Sequence, residues 1–167
     1  VGGGGGMKHT LAIMVVNNPG VLSRVAGLYS RRGFNIDSIA VGPTEDPKLS
    51  RMIVVVQAED DAQIEQITKQ LYKLIDVVKI SDITMDDSVE RELALIKVAA
   101  NSGNRSEILQ IVDIFRAKIV DVAEQAVIIE VTGDQEKLEA IISLLHPFGI
   151  REIVRTGKIA MVRSGKR

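Results

Sequence analysis

One order of elements occurs twice along this chain, and that repetition limits the possible folds more than any single motif. Each copy reads strand, loop, helix, strand, strand, helix, strand over about eighty residues, the split-βαβ pattern. In the first copy, Leu11–Val16 is a continuous apolar run rich in β-branched residues and reads as a buried strand. Asn17-Asn18-Pro19-Gly20 follows, and then Val21, Leu22, Val25, Leu28 and Tyr29 mark one helical face. Arg31 and Arg32 suit the negative pole of that helix, and Gly33 suits a left-handed residue just past its end. Phe34–Val41 alternates as a strand, Gly42–Ser50 is a polar loop, and Arg51–Gln57 is a second strand, apolar throughout from Met52 to Val56. Asp60 with Gln63 reads as a capping box for a helix with Ile64, Ile67, Leu71 and Leu74 on its stripe. Val77–Thr84 closes the module.

Met85–Arg91 reads as a charged connector, after which the order restarts. Leu93–Ala99 is a strand, and Asn101-Ser102-Gly103-Asn104 occupies the loop position. Asn104 and Glu107 form a candidate capping box for a helix bearing Ile108, Ile111 and Phe115. Ile119–Val122 and Val127–Val131 read as a strand pair. Asp134 caps a helix with Leu138, Ile141 and Leu145. The last strand, Ile150–Val154 with Ile159–Val162, is interrupted at Gly157. The expected class is α+β, with two ferredoxin-like βαββαβ modules whose helices cover one face of an antiparallel sheet. The boundaries are 7–84 and 85–163, with 164–167 as a tail. Residues 1–6, Val-Gly-Gly-Gly-Gly-Gly, have nothing to bury and read as a flexible leader or an expression scar.

Two strands of the first module are apolar on both faces. Water on the second face would favour polar residues there. The pattern therefore predicts that a second module or another chain covers that face or its edge, although a well-shielded central strand would show the same residues.

The loop Asn17-Asn18-Pro19-Gly20 admits two readings. In one, it is a helix start and nothing more: Asn18 is the N-cap and Pro19 occupies the first turn. In the other, the helix start also binds an anion. First-turn amides are unpaired and the helix pole is positive, so a carboxylate docks there. Gly20 leaves room for its approach, an Asn amide serves either a carboxylate or an ammonium group, and Val21 and Leu22 flank an aliphatic side chain. Those requirements match a zwitterionic amino acid.

Composition removes several other chemistries. The 21 Lys/Arg and 22 Asp/Glu are spread evenly over both halves, without the basic excess that phosphate backbones require. There is no cysteine, hence no disulfide, thiolate nucleophile or zinc–thiolate site. The two histidines, His9 before the first strand and His146 at a helix end, read as solvated or capping residues. No transition-metal cage is expected from them. Asp60-Asp61 and Asp86-Asp87 read as a helix start and a solvated linker. Ser23 has no adjacent histidine to make it a nucleophile. No apolar stretch approaches ~18–20 residues, so no membrane-spanning helix is expected. The cytoplasm is the expected location.

Several segments carry a family resemblance when taken together. The run Asn17–Val25 and the run Arg32–Ile39 resemble the N-terminal ACT domain of the acetolactate (acetohydroxyacid) synthase small regulatory subunit. Val41-Gly42-Pro43-Thr44-Glu45, Leu49–Met52, Val89–Leu93 and Ile114–Val122 extend the resemblance over nearly the whole chain. It implies a non-catalytic subunit that binds a large thiamine-diphosphate-dependent catalytic subunit, raises its activity, and confers feedback inhibition by valine or another branched-chain amino acid. It implies no cofactor on this chain, with thiamine diphosphate, FAD and Mg²⁺ on the catalytic partner. It also implies a homodimer through the ACT domains, with effector sites between them. The matching effector-binding positions are Asn17, Gly20, Val21, Leu22, Asn35, Ile36 and Gly42. The loop at Gly103 lacks the Pro-Gly pair and is assigned no ligand.

Three other functions are compatible with a βαββαβ module. An RNA-binding βαββαβ module stacks bases on aromatics of its central strands, and Leu11–Val16 and Met52–Val56 contain none. An acylphosphatase-like enzyme needs a polar catalytic group beside its anion loop, where this chain has Val21-Leu22. An amino-acid-sensing ACT protein serving a different metabolic enzyme is the nearest alternative, and the second module and linker motifs argue against it.

Overall fold

The computed structural model describes residues 6–165. The expected leader lies outside the described residues except for Gly6, as do the last two residues of the tail. The chain divides into two compact units, one running to Val89 and taking in the residues from Ala160 onward, the other spanning Glu90–Ile159.

The first unit contains β1 (Met7–Val16), α1 (Val21–Arg31), β2 (Ile36–Pro43), β3 (Leu49–Ala58), α2 (Asp61–Tyr72) and β4 (Val77–Asp82). Its sheet is antiparallel between all neighbours, in the order β2-β3-β1-β4. Alternate residues Leu11, Ile13 and Val15 of β1 and Met52, Val54 and Val56 of β3 meet Val25, Tyr29, Ile67 and Leu71 of the two helices in one core. Each fully buried aliphatic side chain contributes about 1.5–3 kcal/mol by leaving water.

Local chemistry explains where the elements end. α1 closes with paired bonds, the Gly33 amide to the Ser30 carbonyl at 3.1 Å and the Phe34 amide to the Tyr29 carbonyl at 3.1 Å. This Schellman arrangement requires the left-handed φ of +77° at Gly33 and brings Phe34 edge-on to Tyr29, with ring centroids 5.5 Å apart. At the start of α2, the Asp60 carboxylate accepts from the Gln63 amide at 2.9 Å, and the Gln63 side chain accepts from the Glu59 amide at 2.9 Å. The expected box is therefore present but reaches back one residue further. Nothing lies within 4 Å of a Cβ built on Gly33, so Gly33→Ala costs backbone strain alone. The expected loss is about 1–2 kcal/mol, seen as a lower urea midpoint with an unchanged slope of free energy against denaturant.

Several expectations need correction here. β1 begins at Met7 rather than Leu11, which places His9 inside the strand instead of before it. Leu22 lies off the buried stripe of α1 and is 46 % exposed. Asn18 is not the N-cap and Pro19 is not the first helical residue, because α1 starts at Val21 with Gly20 as its cap. On the sheet face away from the helices, Ile53 and Val55 are 3 % and 6 % exposed. Part of the cover on that face comes from the same chain, since Ala160, Met161 and Val162 line a cavity there with Ala12 and Met14. Of the two expected sources of cover, another part of this chain and a second copy, the first therefore supplies at least part.

The second unit repeats the plan. β5 (Ser88–Ala99), α3 (Arg105–Ile114), β6 (Lys118–Val122), β7 (Ala126–Gly133), α4 (Gln135–Leu145) and β8 (Ile150–Arg155) follow in order, and β9 (Ile159–Val162) belongs from Ala160 onward to the first unit. The strands run β6-β7-β5-β8, and β9 also pairs with β5. The Asp134 side chain caps α4 by accepting from the Lys137 amide at 2.9 Å. The Asn104–Glu107 capping box does not form. The Asn104 side chain accepts from the Asn101 amide, and the Asn101 side chain accepts from the Gly103 and Asn104 amides, so the loop closes on itself. The expected connector is strand from Ser88, and the interruption at Gly157, φ +83°, separates two strands that both pair with β5.

Candidate functional site

Residues 17–20 connect the end of β1 to α1, and side chains far away in sequence fix their shape. The Asp76 carboxylate, 7 % exposed, accepts from Asn18 Nδ2 at 3.1 Å and from Arg24 Nε and Nη2 at 3.0 and 2.5 Å. The Asp76 carbonyl accepts from the Val16 amide at 2.8 Å. The Asn18 hydrogen bond, followed by those of Arg24, holds the Asp76 carboxyl below the usual carboxylate range against the opposing effect of burial. Asn17 is tied separately, its amide donating to the Lys48 carbonyl at 2.8 Å. The loop is therefore fastened at both ends before any ligand arrives.

Gly20 stands at the helix cap with φ +82°, and no side chain caps this helix. The Arg24 amide reaches the Gly20 carbonyl at 3.0 Å. Among the described residues, the Leu22 and Ser23 amides have no hydrogen-bond partner. A Cβ placed on Gly20 would lie 3.0 Å from Arg24 Nη1. The helix start thus combines two free amides, a guanidinium at close range and a bare backbone. Such a group of donors suits a carboxylate. Leu22, half exposed beside them, offers an aliphatic surface, while Val21 is buried in the core below.

The expected site residues fall into two groups. Asn17, Gly20, Val21 and Leu22 lie at the end of the sheet where β1 finishes, and Gly42, paired with Arg51, lies at that same end. Asn35 immediately precedes β2, and Ile36 pairs with Val56, level with His9 at the opposite end. Five to six residues of strand separate Ile36 from Gly42, roughly 17–20 Å, and eight separate the level of Ile36 from Asn17, roughly 27 Å. A free amino acid spans about 6 Å. One copy of this sheet therefore does not bring all seven residues around one such ligand.

Three residues outside the seven matching positions shape this site: Asn18, which holds Asp76 instead of capping the helix, Arg24 and Asp76 itself. Asp76 lies fifty-eight positions from Asn18 in a short turn, where only the register of β4 on β1 brings it into contact. His9 needs correction as well. It is 5 % exposed, and its Nδ1 lies 2.8 Å from Asp82 Oδ2. Burial would raise the Asp82 carboxyl, but hydrogen bonds from the Thr84 side chain and backbone and from His9 outweigh it and hold it low. His9 is thus a paired residue of the sheet rather than a solvated one.

A model described as the AHAS small subunit-like ACT domain matches residues 11–79, and one described as the small subunit of acetolactate synthase matches residues 91–164. The Archaeoglobus fulgidus protein named "Probable acetolactate synthase small subunit" is 56 % identical over 96 % of this chain and 100 % of its own length. The acetolactate synthase small subunit of Mycobacterium leprae is 52 % identical over 93 % of this chain and 91 % of its own. The crystal structure of the acetolactate synthase small subunit from Thermotoga maritima superposes with a TM-score of 0.87 at 48 % identity, covering 96 % of this chain and 99 % of that one. Among the described residues, no helix is long and apolar enough to cross a membrane.

Proposed function

Because this chain belongs to the acetolactate synthase small-subunit family, we propose that it is the non-catalytic regulatory partner of a large, thiamine-diphosphate-dependent catalytic subunit. In this reading the chain raises the activity of that subunit and makes it answer to a branched-chain amino acid, with valine as the first candidate. Thiamine diphosphate, FAD and Mg²⁺ belong to the large subunit and none of them to this chain. The observation that carries the reading is the helix start at Gly20, where two unpaired amides and the Arg24 guanidinium surround a bare backbone. A zwitterion's carboxylate meets them directly, and its aliphatic chain meets Leu22.

The effector site in this reading is completed by a second copy. β2 is an edge strand with its outer backbone groups unpaired in the sheet. Antiparallel pairing of two β2 edges about a two-fold axis would set the Ile36 end of one copy beside the Gly42 end of the other. Asn35 and Ile36 of one chain then join Asn17, Gly20, Leu22 and Gly42 of its partner. The wide separation of these groups within one sheet supports that arrangement.

Reconstitution tests the functional reading. The purified chain, given thiamine diphosphate, FAD and Mg²⁺, is expected to form no acetolactate by itself. Added to its large subunit, it should raise the rate and introduce inhibition by valine. A large subunit that neither binds the chain nor changes its rate would overturn the assignment. Sedimentation tests assembly separately, with a dimer expected at micromolar concentration. A monomer at tens of micromolar, with valine present, would remove the shared site.

A further inference from the structure

A cavity of about 280 Å³ opens on the face of the first sheet away from its helices. Strand register builds it. Arg51 of β3 stands opposite Met14 of β1, and Met14 stands opposite Lys79 of β4, so two cations flank one methionine in a single cross-strand row. Their Cα atoms are two strand spacings apart, roughly 10 Å. In the next row Ser81 stands opposite Ala12. Buried Ile83 and Met161 of β9 line the cavity as well.

The electrical character of this cavity is one-sided. Neither the Arg51 nor the Lys79 side chain has a hydrogen-bond or ion-pair partner among the described residues. None of the residues lining the cavity carries a negative charge. Two unpaired cations held this close repel each other, and an anion between them reverses the sign of the interaction. The remaining wall is apolar apart from the Ser81 hydroxyl.

We propose that this cavity binds a small aliphatic carboxylate that lacks an ammonium group, of the 2-oxo or 2-hydroxy acid class. The carboxylate bridges the Arg51 fork and the Lys79 ammonium. The Ser81 hydroxyl serves the oxygen at the neighbouring carbon, and Met14, Ile83 and Met161 hold a short aliphatic chain. An amino acid is disfavoured because its ammonium group would face two cations and find no anion. The volume, about nine waters' worth at roughly 30 Å³ each, limits the ligand to a short-chain acid. This site uses neither the Gly20 loop nor a second copy, so it stands apart from the effector reading.

The chain has five methionines, which report the position of a ligand directly. With methyl-¹³C-methionine labelling, 3-methyl-2-oxobutanoate is titrated into the full chain. The Met14 and Met161 signals are expected to shift together and saturate, while that of Met52, buried on the helix side, stays in place. Valine should leave Met14 and Met161 unmoved. Arg51→Gln with Lys79→Gln should weaken the binding about a hundredfold, about tenfold for each charge-assisted contact. If the double variant loses the native Met52 signal, Lys79→Gln alone is read instead, because that residue is exposed. The proposal is overturned if Met14 and Met161 do not respond at tens of millimolar, if valine shifts them equally, or if the folded charge variants bind as the parent does.

Discussion

Gly20→Asp is expected to abolish inhibition by valine while leaving activation of the catalytic subunit in place. The new carboxylate would occupy the space proposed for the effector's carboxylate and would take up the Arg24 guanidinium. Two like charges ~4 Å apart repel by about 4 kcal/mol at an effective dielectric near 20, roughly a thousandfold in affinity. The substitution also carries a folding cost. Gly20 is the left-handed cap of α1, not a first-turn residue where aspartate would be neutral. A side chain there costs about 1–2 kcal/mol, with aspartate among the better tolerated, and Arg24 must shift its flexible end. That loss is a fraction of the ~5–15 kcal/mol typical of a domain. Gly20→Ala separates the two effects, since it pays the strain without the charge and should keep most of the inhibition. Valine titration of the reconstituted enzyme, with circular dichroism for the fold, gives the answer. A folded, activating Gly20→Asp variant inhibited at the parent's valine concentration would place the effector elsewhere.

The second large effect is expected from Asp76, which touches no ligand in this reading. Asp76→Asn keeps the shape and removes the charge that holds Asn18 and Arg24. The loop then samples other conformations and must be ordered again when the effector binds. Fixing one or two residues costs about 1–2 kcal/mol each, so half-inhibition should move to about tenfold or more higher valine. Maximal inhibition and activation should be retained, which distinguishes a positioning residue from general unfolding. The pH behaviour follows from the lowered Asp76 carboxyl. A depressed folded value stabilises the native state above the unfolded pKa and loses that contribution as pH falls through the folded one. The anchoring should therefore be constant from neutral pH down to the ordinary carboxylate range and fail only below it. If half-inhibition by valine is the same in Asp76→Asn as in the parent, the clamp does not prepare the loop.

Local signals and long-range ones differed in how legible they were. The caps at Asp60 and Asp134 and the close at Gly33 depend on residues within five positions, and the sequence pattern exposed them. The two-module α+β architecture followed from hydrophobic periodicity alone. The failures have a common cause. Asn18 and Asn104 look like caps by residue type, but competing partners capture their side chains, Asp76 across the sheet in one case and Asn101 within the loop in the other. His9 looked terminal because the apolar run begins after it, yet the ladder to β3 continues through it to Met7. Asn35, Ile36 and Gly42 enter the effector set by resemblance alone, and nothing in their spacing from the Gly20 loop reveals at which end of the sheet each sits. Strand order is set by tertiary pairing.

That separation has a genetic consequence. If each effector site takes its loop from one chain and its strand start from another, a defect belongs to half a site rather than to a protein. A chain with a damaged Gly20 loop and a chain with a damaged Asn35 would each form a homodimer with no working site. Paired with each other, they would concentrate both injuries in one site and leave the other whole. Two recessive lesions in the same coding sequence would then complement, and the mixed dimer would answer to the effector at half of its positions.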